Sequence, residues 1–144
     1  MTGTTCKLVT TDTELRDAFE VRREVFVREQ GVTEAEEYDG LDGQAMQAVA
    51  KQGERVIGTA RVRFPQHGQA KIERMAVLGP FRRKGVGSSI MSFLMSELRN
   101  RDTRHIVLHA QTAVAGFYGL HGFQETGLPF WEAGIEHIEM HTDL

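Results

Sequence analysis

The chain reads as an α/β or α+β layered domain in which strands alternate with helices around one mixed sheet. Three observations predict it. Between Arg55 and Phe64, Val56, Gly58, Ala60, Val62 and Phe64 alternate with Ile57, Thr59, Arg61 and Arg63, the period of two of a strand. Between Val86 and Leu98, the residues Val86, Ile90, Phe93, Leu94 and Leu98 recur on one helical face. Such runs interchange along 144 residues with glycine and proline between them and no internal repeat or linker. That length is one ordinary domain over residues 1–144, burying roughly 70% of its unfolded surface.

The elements follow in order. Cys6 to Thr10 is a first strand. Thr11 and Glu14 have capping-box spacing, and Leu15, Ala18, Phe19, Arg22, Val25 and Phe26 continue at helical intervals. Gln30-Gly31 ends that helix with a residue suited to the left-handed cap. An acidic loop follows, with Glu36, Glu37, Asp39 and Asp42 between Glu34 and Asp42. Met46 to Lys51 and Arg55 to Phe64 form a hairpin about Gly53-Glu54, and Pro65 and Gly68 interrupt before a strand from Lys71 to Leu78. A helix runs from Val86 to about Arg101, a strand from His105 to Ala110, and a short helix from Thr112 to Leu120. Extended pieces Phe123 to Glu125 and Ile135 to Met140 flank a loop with Pro129 and Gly134. The order is β-α-β-β-β-α-β-α-β-β.

Composition narrows the function classes. A formal charge of −3 argues against a nucleic-acid binder that works by broad phosphate neutralisation. Cys6 is the single cysteine, so neither an intrachain disulfide nor a cysteine metal cluster can form, and no metal is expected. Met1 to Lys7 is polar and unlike a signal peptide, and no apolar run approaches the ~20 residues that span a bilayer. A cytoplasmic protein without membrane contact is expected.

Against this acidic background stands the basic turn Arg82-Arg83-Lys84-Gly85-Val86-Gly87, between a strand and an amphipathic helix. Orphan N–H groups and the helix dipole at such a place favour a phosphate or pyrophosphate; a plain tight turn is the bland alternative. A dinucleotide fingerprint fails because Ile90 occupies its third glycine position. A Walker loop from Gly79 fails because Lys84 precedes Gly85.

What remains, Arg82-x-x-Gly85-x-Gly87 opening a helix, resembles the acetyl-CoA pyrophosphate loop of the GNAT superfamily of N-acetyltransferases. The segments "VRREVFVREQGV", "KIERMAVLGPFRRKGVG", "HAQTAVAGFYGLHGF" and "EAGIEHIEM" are similar to a subgroup of small, single-domain bacterial acetyltransferases. Gln47 stands where that subgroup usually has a histidine. The resemblance implies a mainly antiparallel central sheet flanked by helices. It also implies acetyl-CoA as co-substrate, direct transfer to a primary amine in a ternary complex, and a tendency to form homodimers. A small-molecule amine is the expected partner, with protein lysine a further possibility.

By the same resemblance, the backbone of Arg83, Lys84, Gly85, Val86, Gly87 and Ser88 meets the pyrophosphate, with Arg82, Arg83 or Lys84 adding charge. Met75, Ala76 and Val77 line the pantetheine arm, and the Val77 amide faces the thioester carbonyl. Tyr118 is the candidate general acid, since a phenol of ordinary pKa ~10 holds its proton at neutral pH; the bland alternative is an aromatic packed beside Phe117. His137 is the candidate base, with Glu73 acting through a water as its competitor. The first helix and the acidic loop supply substrate contacts: Arg22, Arg23, Arg28 and Phe26, with Glu37, Asp39 and Asp42 attracting an amine. Solvated faces are the plainer account of those charges. Two rival readings are a non-catalytic acetyl-CoA sensor and an acyl-homoserine lactone synthase. The synthases are longer and carry a tryptophan after the first helix, whereas the single tryptophan here is Trp131.

Overall fold

A computed structural model describes residues 3–144; Met1 and Thr2, the start of the polar N-terminal stretch, lie outside the described residues. Seven strands make one sheet in the order β1-β2-β3-β4-β5-β7-β6. They are β1 (Thr5–Leu8), β2 (Met46–Gln52), β3 (Arg55–Gln66), β4 (Gln69–Val77), β5 (His105–Gln111), β6 (Gln124–Glu132) and β7 (Ile135–Asp143). All neighbours are antiparallel except β4 and β5, which run parallel. The mixed, mainly antiparallel architecture is the expected one.

Period-two strands place alternate side chains on opposite faces, and helices cover both. On one face α1 (Asp12–Arg22) packs Ala18 and Val21 with Val49, Val56 and Ala76. On the other, α3 (Val86–Arg99) lays Ile90, Met91, Leu94 and Leu98 against Ala48, Ala50, Ile57 and Ile72. Gly58 on β3 lets α3 approach closely: a Cβ there would lie 3.0 Å from Ile90 Cδ1 and 3.3 Å from the Ala76 carbonyl. Thr11 caps α1 by accepting from the Glu14 amide, but Glu14 returns its carboxylate to the amide of Thr10.

Four stretches depart from the expectation. The first helix continues past Arg22 as a π-helical segment, Arg23–Glu29, before Gly31 turns the chain at a φ of +74°. The acidic loop contains a helical turn, α2 (Glu34–Glu37), capped by Thr33. The expected loop through Pro129 is strand, because β6 is an edge: its register shifts between Thr126 and Phe130, so proline's missing N–H interrupts no inner ladder. The short helix expected over Thr112 to Leu120 is α4 (Ala115–Gly119) preceded by a tighter turn.

Candidate active site

The site grows from a defect in the sheet. On β4, Arg74 and Met75 together occupy the interval that Ala60 alone spans on β3, and Arg74 takes a φ of +56°. This is a β-bulge, which bends its strand and increases local twist. Beyond it β4 parts from β5: parallel pairing covers Gln69 to Ile72 against His105 to Leu108 and goes no further. Met75, Ala76 and Val77 then border a cavity of about 1000 Å³. Since the Leu78 amide donates to Ile57 on β3, ladder alternation turns the N–H and C=O of Val77 to the open side. Arg82 Nε takes the Val77 carbonyl at 2.8 Å.

The glycine turn closes one end of this cavity. Gly85 adopts a φ of +83° as the residue before α3, and Arg83 a φ of +62°. Among the described residues the amides of 83 to 88 donate to no backbone carbonyl; the first that does is Ser89, to Gly85. Arg83, Gly85, Val86, Gly87 and Ser88 line the cavity, while Lys84 is exposed beside it. Arg82 also pairs with Glu29, so its guanidinium braces the turn against the end of the first helix. Gly87 has a packing reason of its own, because a Cβ there would meet Phe117 Cζ at 3.2 Å.

Tyr118 and His137 reach the same cavity from α4 and β7. Both are buried, and Tyr118 packs edge-on between Phe117 and Phe123. Burial pushes the Tyr118 phenol up to about 12. Its hydroxyl has no hydrogen-bond partner among the described residues. His137 Nδ1 lies 2.7 Å from the Ile135 carbonyl, which only accepts, so in the neutral imidazole the proton sits on Nδ1 and the lone pair on Nε2.

Glu73 is differently placed. It accepts from Arg61 and Arg63, and Lys71 lies 3.6 Å away. Burial pushes its carboxyl up, but the Arg63 hydrogen bonds and the charges of Arg61 and Lys71 outweigh this and hold it below the usual range. That is the environment of a structural anion and a poor one for a base, so the competitor to His137 loses ground.

The expected amine-attracting acids are also committed. Glu37 is sealed, 1% exposed, by Arg22 at 2.9 Å and Arg74 Nε at 2.9 Å. Asp42 accepts from Arg22, Arg61 and Gln47 and does not border the cavity. Asp39 does border it, but accepts a two-pronged contact from Arg61 at 2.9 and 2.8 Å and a third from Arg74. The Arg61 hydrogen bonds hold Asp39 well below the usual carboxylate range. Asp42 would be raised by burial, yet its Arg22 hydrogen bond leaves it lowered as well.

Arg22, expected to reach an anion, is fully buried in this network, while Arg23 pairs with Glu34 and Arg28 with Glu24, both away from the cavity. Of the expected substrate contacts, Phe26 alone presents an uncommitted side chain to the cavity; the π-helical segment carries it. Gln47 donates to Asp42 and helps fix the network.

Sequence reasoning missed Arg61, Arg74 and Glu132, and read His109 only as a hydrogen-bonded strand residue without a part in the site. Arg61, fully buried amid the apolar alternation of β3, left a signal as an arginine in a strand covered on both faces. Glu132 fell in the expected loop, and its one signal was its place at the head of the family-like segment "EAGIEHIEM". Among the described residues, no group of three or more His, Cys, Asp or Glu is placed to hold a metal ion, and no helix is long and apolar enough to cross a membrane.

A sheet whose parallel strands splay beside a glycine turn opening a helix is the architecture of acyl-CoA-dependent N-acyltransferases. Residues 10–144 match the family model of the GNAT acetyltransferase domain. The chain belongs to the GNAT family, whose members act on amines. It is 39% identical over 131 residues to YjcF, an uncharacterized N-acetyltransferase of Bacillus subtilis, covering 90% of this chain and 93% of that one. It is 30% identical to an acyl-CoA N-acyltransferase structure from Pseudomonas aeruginosa, with a TM-score of 0.80 over 96% and 97% of the two chains. A GNAT acetyltransferase from Elizabethkingia anophelis, solved with acetyl-CoA bound, shares the fold at 17% identity and a TM-score of 0.76, covering 98% of each chain.

The buried network generates two predictions. Glu37→Ala strips one of the two carboxylates from buried Arg22, leaving it Asp42 alone, and takes the Glu37 contact from Arg74; it is expected to lower the unfolding free energy by about 3 kcal/mol. Glu36→Ala, at an exposed neighbour, shifts it by under ~0.5 kcal/mol, and urea denaturation of both variants measures the contrast. Asp39, Asp42 and Glu73 all have depressed folded values, so the stability they add is present above the ordinary carboxylate pKa of about 4 and is lost as pH falls through their folded values. The urea midpoint is therefore expected to be lower at pH 3 than at pH 5.

Proposed function

We propose that this chain is an acetyl-CoA-dependent N-acetyltransferase moving an acetyl group to a primary amine of a small molecule, by direct transfer in a ternary complex. One observation carries the reading: a single cavity is lined by the unpaired turn amides, by the open edge of β4, and by Tyr118 and His137. The residues present fit the donor. Turn amides and the positive end of α3 suit a pyrophosphate, with Arg83 and Lys84 adding charge and Arg82 acting as the brace. The edge of β4 offers strand-like hydrogen bonds to an extended arm.

When bound, acetyl-CoA supplies a thioester whose carbonyl carbon accepts the amine and whose thiolate leaves. The Val77 N–H is the donor available to the carbonyl oxygen as negative charge develops there, a role commonly worth about 3 kcal/mol. The acceptor arrives as its ammonium form, and His137 takes one proton from it at Nε2, leaving the neutral amine to attack. Tyr118, protonated at neutral pH because burial raises it to about 12, gives its proton to the sulfur. The second proton shed by the nitrogen restores the phenol, so one proton remains on His137 and passes to solvent. Phe26, Val32 and Ala35 wall the acceptor end with apolar surface, which supports a small acceptor.

Release of free CoA across a library of primary amines tests the proposal. Tyr118→Phe is expected to lower kcat by about 10²-fold or more while acetyl-CoA affinity is unchanged. Equal loss of both would make Tyr118 a binding residue. A wild-type protein that binds acetyl-CoA yet releases no CoA with any amine would overturn the enzyme in favour of a sensor.

A further inference from the structure

Accepting His137 as the base, we infer that Glu132 is the receptor for the acceptor's ammonium group, and that the site selects aliphatic primary amines, cationic in water, over neutral arylamines. Glu132 ends β6 and Ile135 begins β7, joined by Ala133 and Gly134 at φ of +52° and +74°. Positive φ at both positions is the geometry of a tight two-residue hairpin, so the Glu132 backbone is fixed opposite Ile135 and Phe130 opposite His137.

The carboxylate is then oriented from one side. His109 Nδ1 lies 3.2 Å from Oε1; facing a carboxylate, Nδ1 is the donor. Oε2 is left facing His137 Nε2 at 3.9 Å. Because His137 Nδ1 donates to the Ile135 carbonyl, the facing Nε2 is also an acceptor. Two acceptors at that separation have no proton between them and call for a shared donor. A nitrogen about 2.8 Å from each sits at the apex of a nearly right-angled triangle, which two N–H bonds of an ammonium group can serve. Phe130 stacks on His137 at 6.0 Å and meets His109 edge-on at 4.9 Å, holding both imidazoles in place.

The other acids bordering the cavity are engaged. Glu37, Asp39 and Glu73 are held by arginines, and Glu36 accepts from its own helix cap, Thr33, at 2.9 Å. Glu132 is the cavity carboxylate that faces the candidate base, and the His109 hydrogen bond keeps it ionised by holding it below the usual range against the opposing effect of burial. Alkylammonium groups, with pKa values near that of lysine at about 10.4, arrive protonated and must lose a proton before they react. In this arrangement one N–H passes its proton to Nε2 while another stays on Oε2. Positive charge moves from the amine to the imidazole, beside the same carboxylate, and the nitrogen lone pair is freed.

The test is equilibrium binding of butylamine and of aniline to the full chain, followed by NMR titration with and without saturating CoA. The wild type is expected to bind butylamine at least about tenfold more tightly than aniline. Glu132→Gln is expected to lose about tenfold in butylamine affinity with aniline and acetyl-CoA affinities unchanged, and Glu132→Asp to recover part of the loss. Melting temperatures establish that both variants fold. Butylamine binding unchanged in Glu132→Gln, or no preference for butylamine over aniline in the wild type, overturns the inference. Failure of the wild type to bind acetyl-CoA overturns the enzymatic reading instead, and the titration without CoA still decides the role of Glu132.

Discussion

Parallel hydrogen bonding between β4 and β5 lasts from Gln69 to Ile72 and then ends, leaving the outer half of β4 bonded to β3 on one edge and open on the other. A backbone edge inside a fold is costly unless something pairs with it or water reaches it. Here it borders a cavity, and the positions of the other groups follow from that opening. The bulge at Arg74 bends the strand at the point of divergence, and α3 begins where the strand's continuation turns back as the glycine turn. Tyr118 from α4 and His137 from β7 reach the gap that β5 leaves by staying with β7. An extended arm with amide groups along it, ending in a pyrophosphate, is the chemical complement of an open strand edge that leads to a cluster of unpaired amides.

The opposite end of the cavity is held by charge. Arg22 and Arg61 are fully buried; Arg22 ties α1 to Glu37 and Asp42 of the α2 region, and Arg61 on β3 joins Asp39 and Asp42 to Glu73 on β4. Breaking one partner of such a network strands a charge in a low dielectric, so the network fixes the acceptor end more than it adds net stability. Its consequence for chemistry is subtractive. Glu37, Asp39, Asp42 and Glu73 spend their charge on arginines, which leaves Glu132, beside His109 and His137, as the carboxylate bordering the cavity that neither an arginine nor its own helix cap engages.

Much of this was legible in the letters, for reasons that differ by residue. The glycine turn is local: Gly85 and its neighbours show their conformational demand and basic charge within six residues. The helical and strand periods around Ile90 and Val62 report burial directly, because each faces one packed layer. The ion network was not legible, because Arg22 and Arg61 sit 15 and 22 residues from the acids that neutralise them, and a charge in a sequence reads as solvated until its partner is known. Pro129 misled for a related reason. It ends an inner strand but is tolerated at an edge, and edge position belongs to the sheet order, not to the segment. Glu132 was hidden by the same error, since a residue assigned to a loop has no expected face.

Calorimetric titration of acetyl-CoA into the wild-type chain and into the double variant Arg83→Glu, Lys84→Glu asks whether the splayed strands and the basic turn form one donor site. Both side chains lie at the turn while the amides and strand edge are untouched, so the structure predicts a wild type that binds and a variant weakened at least about tenfold with its fold intact. Equal affinity in the two proteins would contradict the assignment of the turn to the pyrophosphate, and with it the reading of the cavity as an acetyl-CoA site.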